Sequence, residues 1–271
     1  MDSGLKDKVV MITGASGGIG AACARAFAAE GARLVLHANR NLEAARTLAG
    51  ELGDEALAVR ADLTSESEVE RLFAESLARF DNRLDVLIAN AGVFVSEDVP
   101  IHRMTLDQWN STLAADQTSV FLCAREFFRH LKKRKPETAS LVIIGSTAAV
   151  FGEEGHADYS AAKAAIAYGL VRSLKNEIVR LAPRGRVNAI CPGWVATPMV
   201  RRAMENKEVV KRVLQTRAIK RVGRPEEIAT AAVFLASDAM SSHVSGQALT
   251  VAGGMEGRLL HRVDDVDPDL A

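Results

Sequence analysis

Tyr159 and Lys163 are the pair in this chain whose types and spacing most directly suggest chemistry. Four positions apart, they fall on one helical face, one turn from each other, so the ammonium can act on the phenol. A free phenol titrates near ~10, and a neighbouring cation favours the phenolate, bringing it toward the range where protons are traded at neutral pH. The pair therefore predicts a tyrosine of lowered pKa serving as general acid and base. Ser146 follows the apolar run Leu141–Ile144 and would sit at the carboxyl end of a buried strand, where open α/β sheets bind their ligands. A hydroxyl, a phenol and an amine so placed suit hydride transfer at a carbonyl or an alcohol. Y-x-x-x-K is also a common accident on helices, so its meaning depends on the elements around it.

Those elements alternate. Val9 to Thr13 reads as a strand, followed by a glycine turn and a helix whose stripe is Ile19, Ala22, Cys23, Ala26 and Phe27, offsets that mark one buried face. Gly31 caps that helix and Arg33 to Ala38 is a second strand, completing a βαβ unit. Helices over 42–52 and 66–80 alternate with strands at 56–61 and 84–89. A long helical region, 106–133, precedes the strand at 141–145. The Tyr159 helix runs to about Leu181, and a strand follows at Val187 to Cys191. A charged flap at about 198–218, a helix opened by Pro225 and a last strand at Ala248 to Val251 complete the pattern. This rhythm predicts an α/β fold: a Rossmann-type, doubly wound, mainly parallel sheet with helices on both faces. One dinucleotide-binding and catalytic domain is expected over 1–257, with an acidic tail at 258–271.

A chain of 271 residues can bury a large core in one domain. Lys+Arg and Asp+Glu balance at 34 each, which argues against a nucleic-acid or membrane-surface partner and for a small-molecule substrate. No apolar run is long enough to span a bilayer and no leader pattern opens the sequence, so a cytoplasmic protein is expected. Cys23, Cys123 and Cys191 lack C-x-x-C spacing and read as core thiols; no metal site is expected. Lys132-Lys133-Arg134-Lys135 reads as a solvated helix end, where cations complement the dipole.

Gly14, Gly17, Gly18 and Gly20 crowd the first strand-to-helix turn, where missing Cβ atoms let backbone approach a pyrophosphate and the helix N-terminus offers amide donors. An ordinary tight turn is the competing reading. Asp62, after the third strand, could accept from an adenine amino group or simply belong to a helix start. Asn90-Ala91-Gly92 ends the fourth strand beside the same crevice. The stretch after the second strand, His37-Ala38-Asn39-Arg40, lacks the carboxylate that an NAD site uses on the ribose hydroxyls. Arg40 could pair with a 2′-phosphate instead, which favours NADP(H) and leaves NAD(H) possible; a solvated arginine is the alternative.

Together T-G-A-S-G-G-I-G at 13–20, Asp62, N-A-G at 90–92, Ser146, Y-S-A-A-K at 159–163 and P-G-W-V-A-T at 192–197 resemble the short-chain dehydrogenase/reductase family, in its ketoreductase-like branch. The resemblance covers almost the whole chain. It implies hydride transfer between a nicotinamide and a carbonyl or alcohol, with Tyr159 as general acid/base, Ser146 holding the substrate oxygen and Lys163 binding the ribose and lowering the Tyr159 pKa. Cofactor contacts carry over to Gly14, Ser16, Gly17, Gly18, Ile19, Gly20, Asn39, Arg40, Asp62, Leu63, Asn90, Ala91, Gly92, Tyr159, Lys163, Pro192, Gly193, Val195 and Thr197. Thr197 would hold the carboxamide. A homotetramer, or a homodimer, through the 106–133 and 158–181 helices is implied as well.

One position departs from the family. Its W-x6-N stretch usually ends in asparagine, but here Trp109 leads to Asp116, an acceptor-only group if ionised. Asp116 either joins the proton relay, shifts the pH optimum through Lys163, or is a tolerated substitution. Enoyl reductases of the superfamily space the tyrosine and lysine more widely and fit less well. An NAD-dependent alcohol dehydrogenase remains the nearest alternative. A non-catalytic dinucleotide sensor would not need Tyr159, and a serine hydrolase using Ser16 in G-x-S-x-G would leave Tyr159 and Lys163 idle. The pocket wall is expected from Val93 to Val95, Phe151 to His156, Trp194 and Met199 onward. His156 either lines it or lies on a surface loop.

Overall fold

The computed structural model describes residues 2–95 and 97–255, so the expected tail at 258–271 lies outside the described residues. Seven strands, β1 (Val9–Ile12), β2 (Arg33–Ala38), β3 (Ala56–Arg60), β4 (Val86–Ala89), β5 (Thr138–Ile144), β6 (Arg184–Pro192) and β7 (Ala248–Val251), form one sheet in the order β3-β2-β1-β4-β5-β6-β7. Every neighbouring pair is parallel. The order reverses between β1 and β4, which opens a crevice at their carboxyl ends.

Because each strand is covered on both sides, alternate residues feed two cores. Val9 and Met11 of β1 join one core with Leu72 and Phe73 of α3 (Glu66–Arg79) and Phe127 and Leu131 of the helix at Ser119–Arg134. Val10 and Ile12 join the other with Phe27 of the helix at Gly18–Ala29, Leu48 of the helix at Leu42–Leu52 and Ile228 of the helix at Pro225–Ala236. In chain order these helices are α1 (Gly18–Ala29), α2 (Leu42–Leu52), α3, α4 (Leu106–Leu113) and α5 (Ser119–Arg134), then α6 (Ala148–Phe151), α7 (Ala157–Ala164) and α8 (Val171–Ile178). They continue as α9 (Arg201–Glu205), α10 (Lys207–Leu214), α11 (Pro225–Ala236) and α12 (Asp238–Ser241).

Helix starts follow local chemistry. Ser65 accepts from the Glu68 amide at the head of α3, Thr105 accepts from the Gln108 amide at the head of α4, and Pro225 opens α11. The long region expected over 106–133 is continuous but not uniformly α-helical: Ala114–Thr118 forms a wide π turn between α4 and α5. A second π turn, Ala165–Leu170, links α7 to α8. Such turns admit one extra residue and re-aim the side chains on them, and Asp116 sits on the first. The expected flap is a 3-10 turn at Pro198–Val200 followed by α9 and α10.

Candidate active site

Ser146 leaves the carboxyl end of β5, and its Oγ accepts from the Ala148 amide at 3.1 Å. Tyr159 and Lys163 lie on α7, as their spacing requires, with Lys163 Nζ 5.5 Å from the centre of the Tyr159 ring. The Ser146 hydroxyl lies near enough to the Tyr159 phenol to lower its pKa, so the three groups converge. α7 is held against α4 by Asp158, a buried carboxylate that accepts from Thr112 Oγ1 at 2.7 Å and Gln108 Nε2 at 3.3 Å. The sequence analysis did not single out Asp158; an acid in a first helical turn carries no distinguishing signal.

Asp116 completes the cluster from the π turn. Its Oδ1 lies 3.1 Å from Lys163 Nζ and accepts from the Val93 amide at 3.1 Å, and both side chains are buried, at 0% and 5% exposure. The backbone at Gly92 passes directly against this pair: a Cβ there would strike Asp116 Oδ1 and come within 2.9 Å of Lys163 Nζ.

The electrostatics correct one expectation. Burial raises the Tyr159 pKa above the ordinary phenol value; Lys163 pulls it down as expected and so does the nearby Ser146 hydroxyl, but Asp116 and Glu153 add to the rise. Burial works against the Lys163 charge, yet the Asp116 carboxylate and Tyr159 outweigh it and hold the amine above its usual value. A local i,i+4 argument captures the cation but neither the desolvation nor the carboxylate brought in from the π turn.

The glycine turn fits a dinucleotide. A Cβ at Gly20 would run into the Gly14 carbonyl oxygen, so only glycine permits this close turn, and Gly17 starts α1 without a side-chain cap. Thr197, from the loop after β6, approaches the same turn, its Cγ2 3.3 Å from where a Gly18 Cβ would stand. Asn90 Nδ2 donates to the Thr13 and Gly14 carbonyls at 2.8 and 3.2 Å, and Thr13 Oγ1 accepts from the Asn90 and Ala91 amides at 2.9 Å each. The N-A-G stretch thus shapes the crevice by tying β4 to the turn after β1. Leu63 and Val195 are buried beside the crevice ends of their segments.

Two further residues shape this end of the crevice, and the sequence analysis assigned neither a part in it. His37 is buried in β2; its Nδ1 accepts from the Gly14 amide at 3.1 Å and its Nε2 bonds the Ala61 carbonyl at 2.9 Å. Those partners fix a neutral imidazole protonated on Nε2, and burial keeps its pKa below the ordinary value. Arg60 pairs with Ala38 in the β2–β3 register, donates to the Asn39 carbonyl at 3.3 Å and, like Arg40, is exposed. Asp62 accepts from the Thr64 amide and hydroxyl through Oδ1, and these bonds hold its carboxyl below the usual range.

The expected substrate wall is apolar near the phenol. The Phe94 ring meets Tyr159 edge-on at 5.2 Å and stacks on His156 at 4.6 Å, while Val93, Val95, Phe151 and Met199 are exposed. His156 is buried rather than on a surface loop, its Nε2 bonded to the Val95 carbonyl at 2.8 Å. A separate cavity of about 300 Å³ lies at the opposite, amino end of β4, β5 and β6, where Arg186 bonds the Leu235 and Ala236 carbonyls and Ser241. The three cysteines are buried and unpaired. Among the described residues no helix is long and apolar enough to cross a membrane.

Comparison with known proteins agrees with this geometry. A family model described as enoyl-(acyl carrier protein) reductase matches residues 14–256. A 3-oxoacyl-[acyl-carrier-protein] reductase of Synechocystis sp. is 37% identical over 255 residues, 93% of this chain and 98% of that one. A cis-4-hydroxycyclohexanecarboxylate dehydrogenase of Sinomonas cyclohexanicum is 38% identical, covering 94% of this chain and 98% of that protein. Among solved structures, a 3-ketoacyl-(acyl-carrier-protein) reductase from Brucella melitensis complexed with NADH superposes with a TM-score of 0.82 at 28% identity, covering 93% and 99% of the two chains.

Proposed function

The chain belongs to the short-chain dehydrogenase/reductase family of oxidoreductases, and from that premise we propose that it is an NADP(H)-dependent reductase of a carbonyl to an alcohol. The observation that carries this reading is the convergence of Ser146, Tyr159 and Lys163 beside the glycine turn. When bound, the nicotinamide supplies the hydride. The chain's residues do the rest: the Ser146 hydroxyl and the Tyr159 phenol donate hydrogen bonds to the carbonyl oxygen, and the Tyr159 proton passes to that oxygen as the carbon is reduced. The resulting phenolate is then reprotonated. In the oxidising direction it accepts the alcohol proton. Lys163 binds the ribose and draws negative charge toward the phenol oxygen.

Gly14, Ser16, Gly17, Gly18, Ile19 and Gly20 would hold the pyrophosphate end, and Pro192, Gly193, Val195 and Thr197 the nicotinamide. Asp62, Leu63 and the N-A-G stretch would flank the adenine side. Preference for NADP(H) is supported by the exposed Arg40 and by a second exposed cation, Arg60, at the adjoining strand end. Reduction of a carbonyl rather than a carbon–carbon double bond is supported by the tight Tyr-x-x-x-Lys spacing and by relatives named oxoacyl reductase and hydroxy-acid dehydrogenase. The apolar wall of Phe94, Val93, Val95 and Phe151 favours a substrate with an apolar body. The hydrolase reading finds no support, because the imidazole at the glycine turn, His37, is committed to backbone on both sides. A cytoplasmic homotetramer through α4–α5 and α7–α8 is consistent with the exposed Phe121 and Ala161.

The test is NADPH consumption against a panel of cyclic ketones, aryl ketones and 3-oxoacyl thioesters, with NADH in parallel. Turnover of at least one carbonyl, faster with NADPH, supports the reading. Binding of neither dinucleotide contradicts it.

A further inference from the structure

The inference rests on the reading of Tyr159 as proton donor and concerns what governs its charge. Lys163 alone would place a full positive charge near the phenol. Here its ammonium is 3.1 Å from Asp116 Oδ1, with both side chains out of water. Two opposite charges that close act on a third group as a dipole, whose influence falls off far faster than that of a single charge. Burial also removes the solvent that would otherwise screen the pair. Asp116 is not explained by packing: its Oδ2 is buried with no hydrogen-bond partner, an unfavourable arrangement for a carboxylate oxygen. Its Oδ1 is shared by the Lys163 ammonium and the Val93 amide, and Gly92 leaves the room for it.

We propose that Asp116 tunes the charge of this centre: by pairing with Lys163 it offsets part of the ammonium's field at the Tyr159 oxygen. The phenol is thereby held as a proton donor, and the site keeps its reducing form to higher pH than one carrying asparagine. Asp116 is a positioning residue, acting through Lys163 without touching substrate. The charged and titratable groups around the phenol and its lysine are Asp116 from the π turn, Glu153 from the segment before α7 and Cys191 from β6, with Ser146 as the hydroxyl partner. Glu153 adds to the effect of Asp116, and Lys163 and the Ser146 hydroxyl oppose them.

The chain has 2 tyrosines, which makes the test direct. In a Tyr168→Phe protein, Tyr159 is the sole phenol, and near-ultraviolet tyrosinate absorbance follows its ionisation with neither cofactor nor substrate present. The result therefore stands whether or not any carbonyl is turned over. The expected midpoint lies at or above about pH 10, the ordinary phenol value. Adding Asp116→Asn is expected to lower it by about one to two pH units, a ten- to hundredfold larger phenolate fraction at a given pH. An unchanged midpoint on adding Asp116→Asn overturns the proposal. So does a midpoint near neutrality in the Tyr168→Phe protein alone, a measurement that does not depend on the Asp116 variant folding. With a turned-over carbonyl, the alkaline limb of the reductive pH–rate profile should shift down in parallel, whereas a merely structural defect lowers the rate equally at all pH.

Discussion

The Gly14 amide donates to His37 Nδ1 at 3.1 Å, so the first glycine of the proposed cofactor cradle is aimed by a buried imidazole. The other ring nitrogen bonds Ala61, the residue before Asp62, and one side chain thus ties together two segments proposed to flank the dinucleotide. His37→Leu leaves a buried amide without an acceptor and should weaken dinucleotide binding about tenfold, with kcat less affected than KM. His37→Asn, which can still accept from Gly14, should lose less. Because the folded-state pKa of His37 is depressed, its contribution to stability is present above about pH 6.5, the ordinary value, and is lost as acid protonates the ring. Binding isotherms across that range for wild type and variants check both points.

Arg40 and Arg60 should be read against the 2′-phosphate. Arg40→Ala is expected to weaken NADPH about tenfold while changing NADH less than about twofold, since only NADPH presents the anion. Equal loss for both dinucleotides would assign Arg40 a general role instead.

Gly92→Ala should act on the ion pair rather than on the sheet. Its methyl would occupy the space of Asp116 Oδ1 and crowd Lys163 Nζ. Activity should fall by at least about tenfold, the effect of misplacing a catalytic group by a fraction of an ångström, with a drop in Tm of several degrees.

Glu227 offers a prediction in acid. Its carboxylate accepts from Arg221 and from the Arg224 amide, and these bonds lower its pKa to about 2. A depressed carboxylate stabilises the fold above its unfolded value, about 4.3, and loses that contribution as pH falls toward the folded one. Thermal melts of Glu227→Gln should therefore converge with wild type in strong acid and lie below it at neutral pH. The effect is small because the group is partly exposed.

Much of this architecture is legible in the chain. Apolar periodicity and glycine or proline punctuation locate β2, α2, α11 and β7 at their observed ends. The Tyr159–Lys163 face follows from helical geometry, and Asp116 stands out because it departs from a family pattern. Other features were not legible, for physical reasons. A π turn has no residue signature, so the re-aiming of Asp116 appears only in three dimensions. His37 looks like any residue of an apolar strand until its two backbone partners, from different segments, are in place. The direction of the Tyr159 shift depends on burial and on a carboxylate from another helix, neither of which a four-residue spacing contains.

The central claim is that Tyr159 passes a proton to a carbonyl oxygen while the rest of the site holds the dinucleotide. The most direct test measures both functions in Tyr159→Phe: NADPH affinity by fluorescence titration and turnover of a carbonyl reduced by the wild type. The account predicts affinity within about threefold of wild type and turnover reduced by at least about a hundredfold, the usual contribution of a positioned general acid. Retained turnover with intact binding would contradict it.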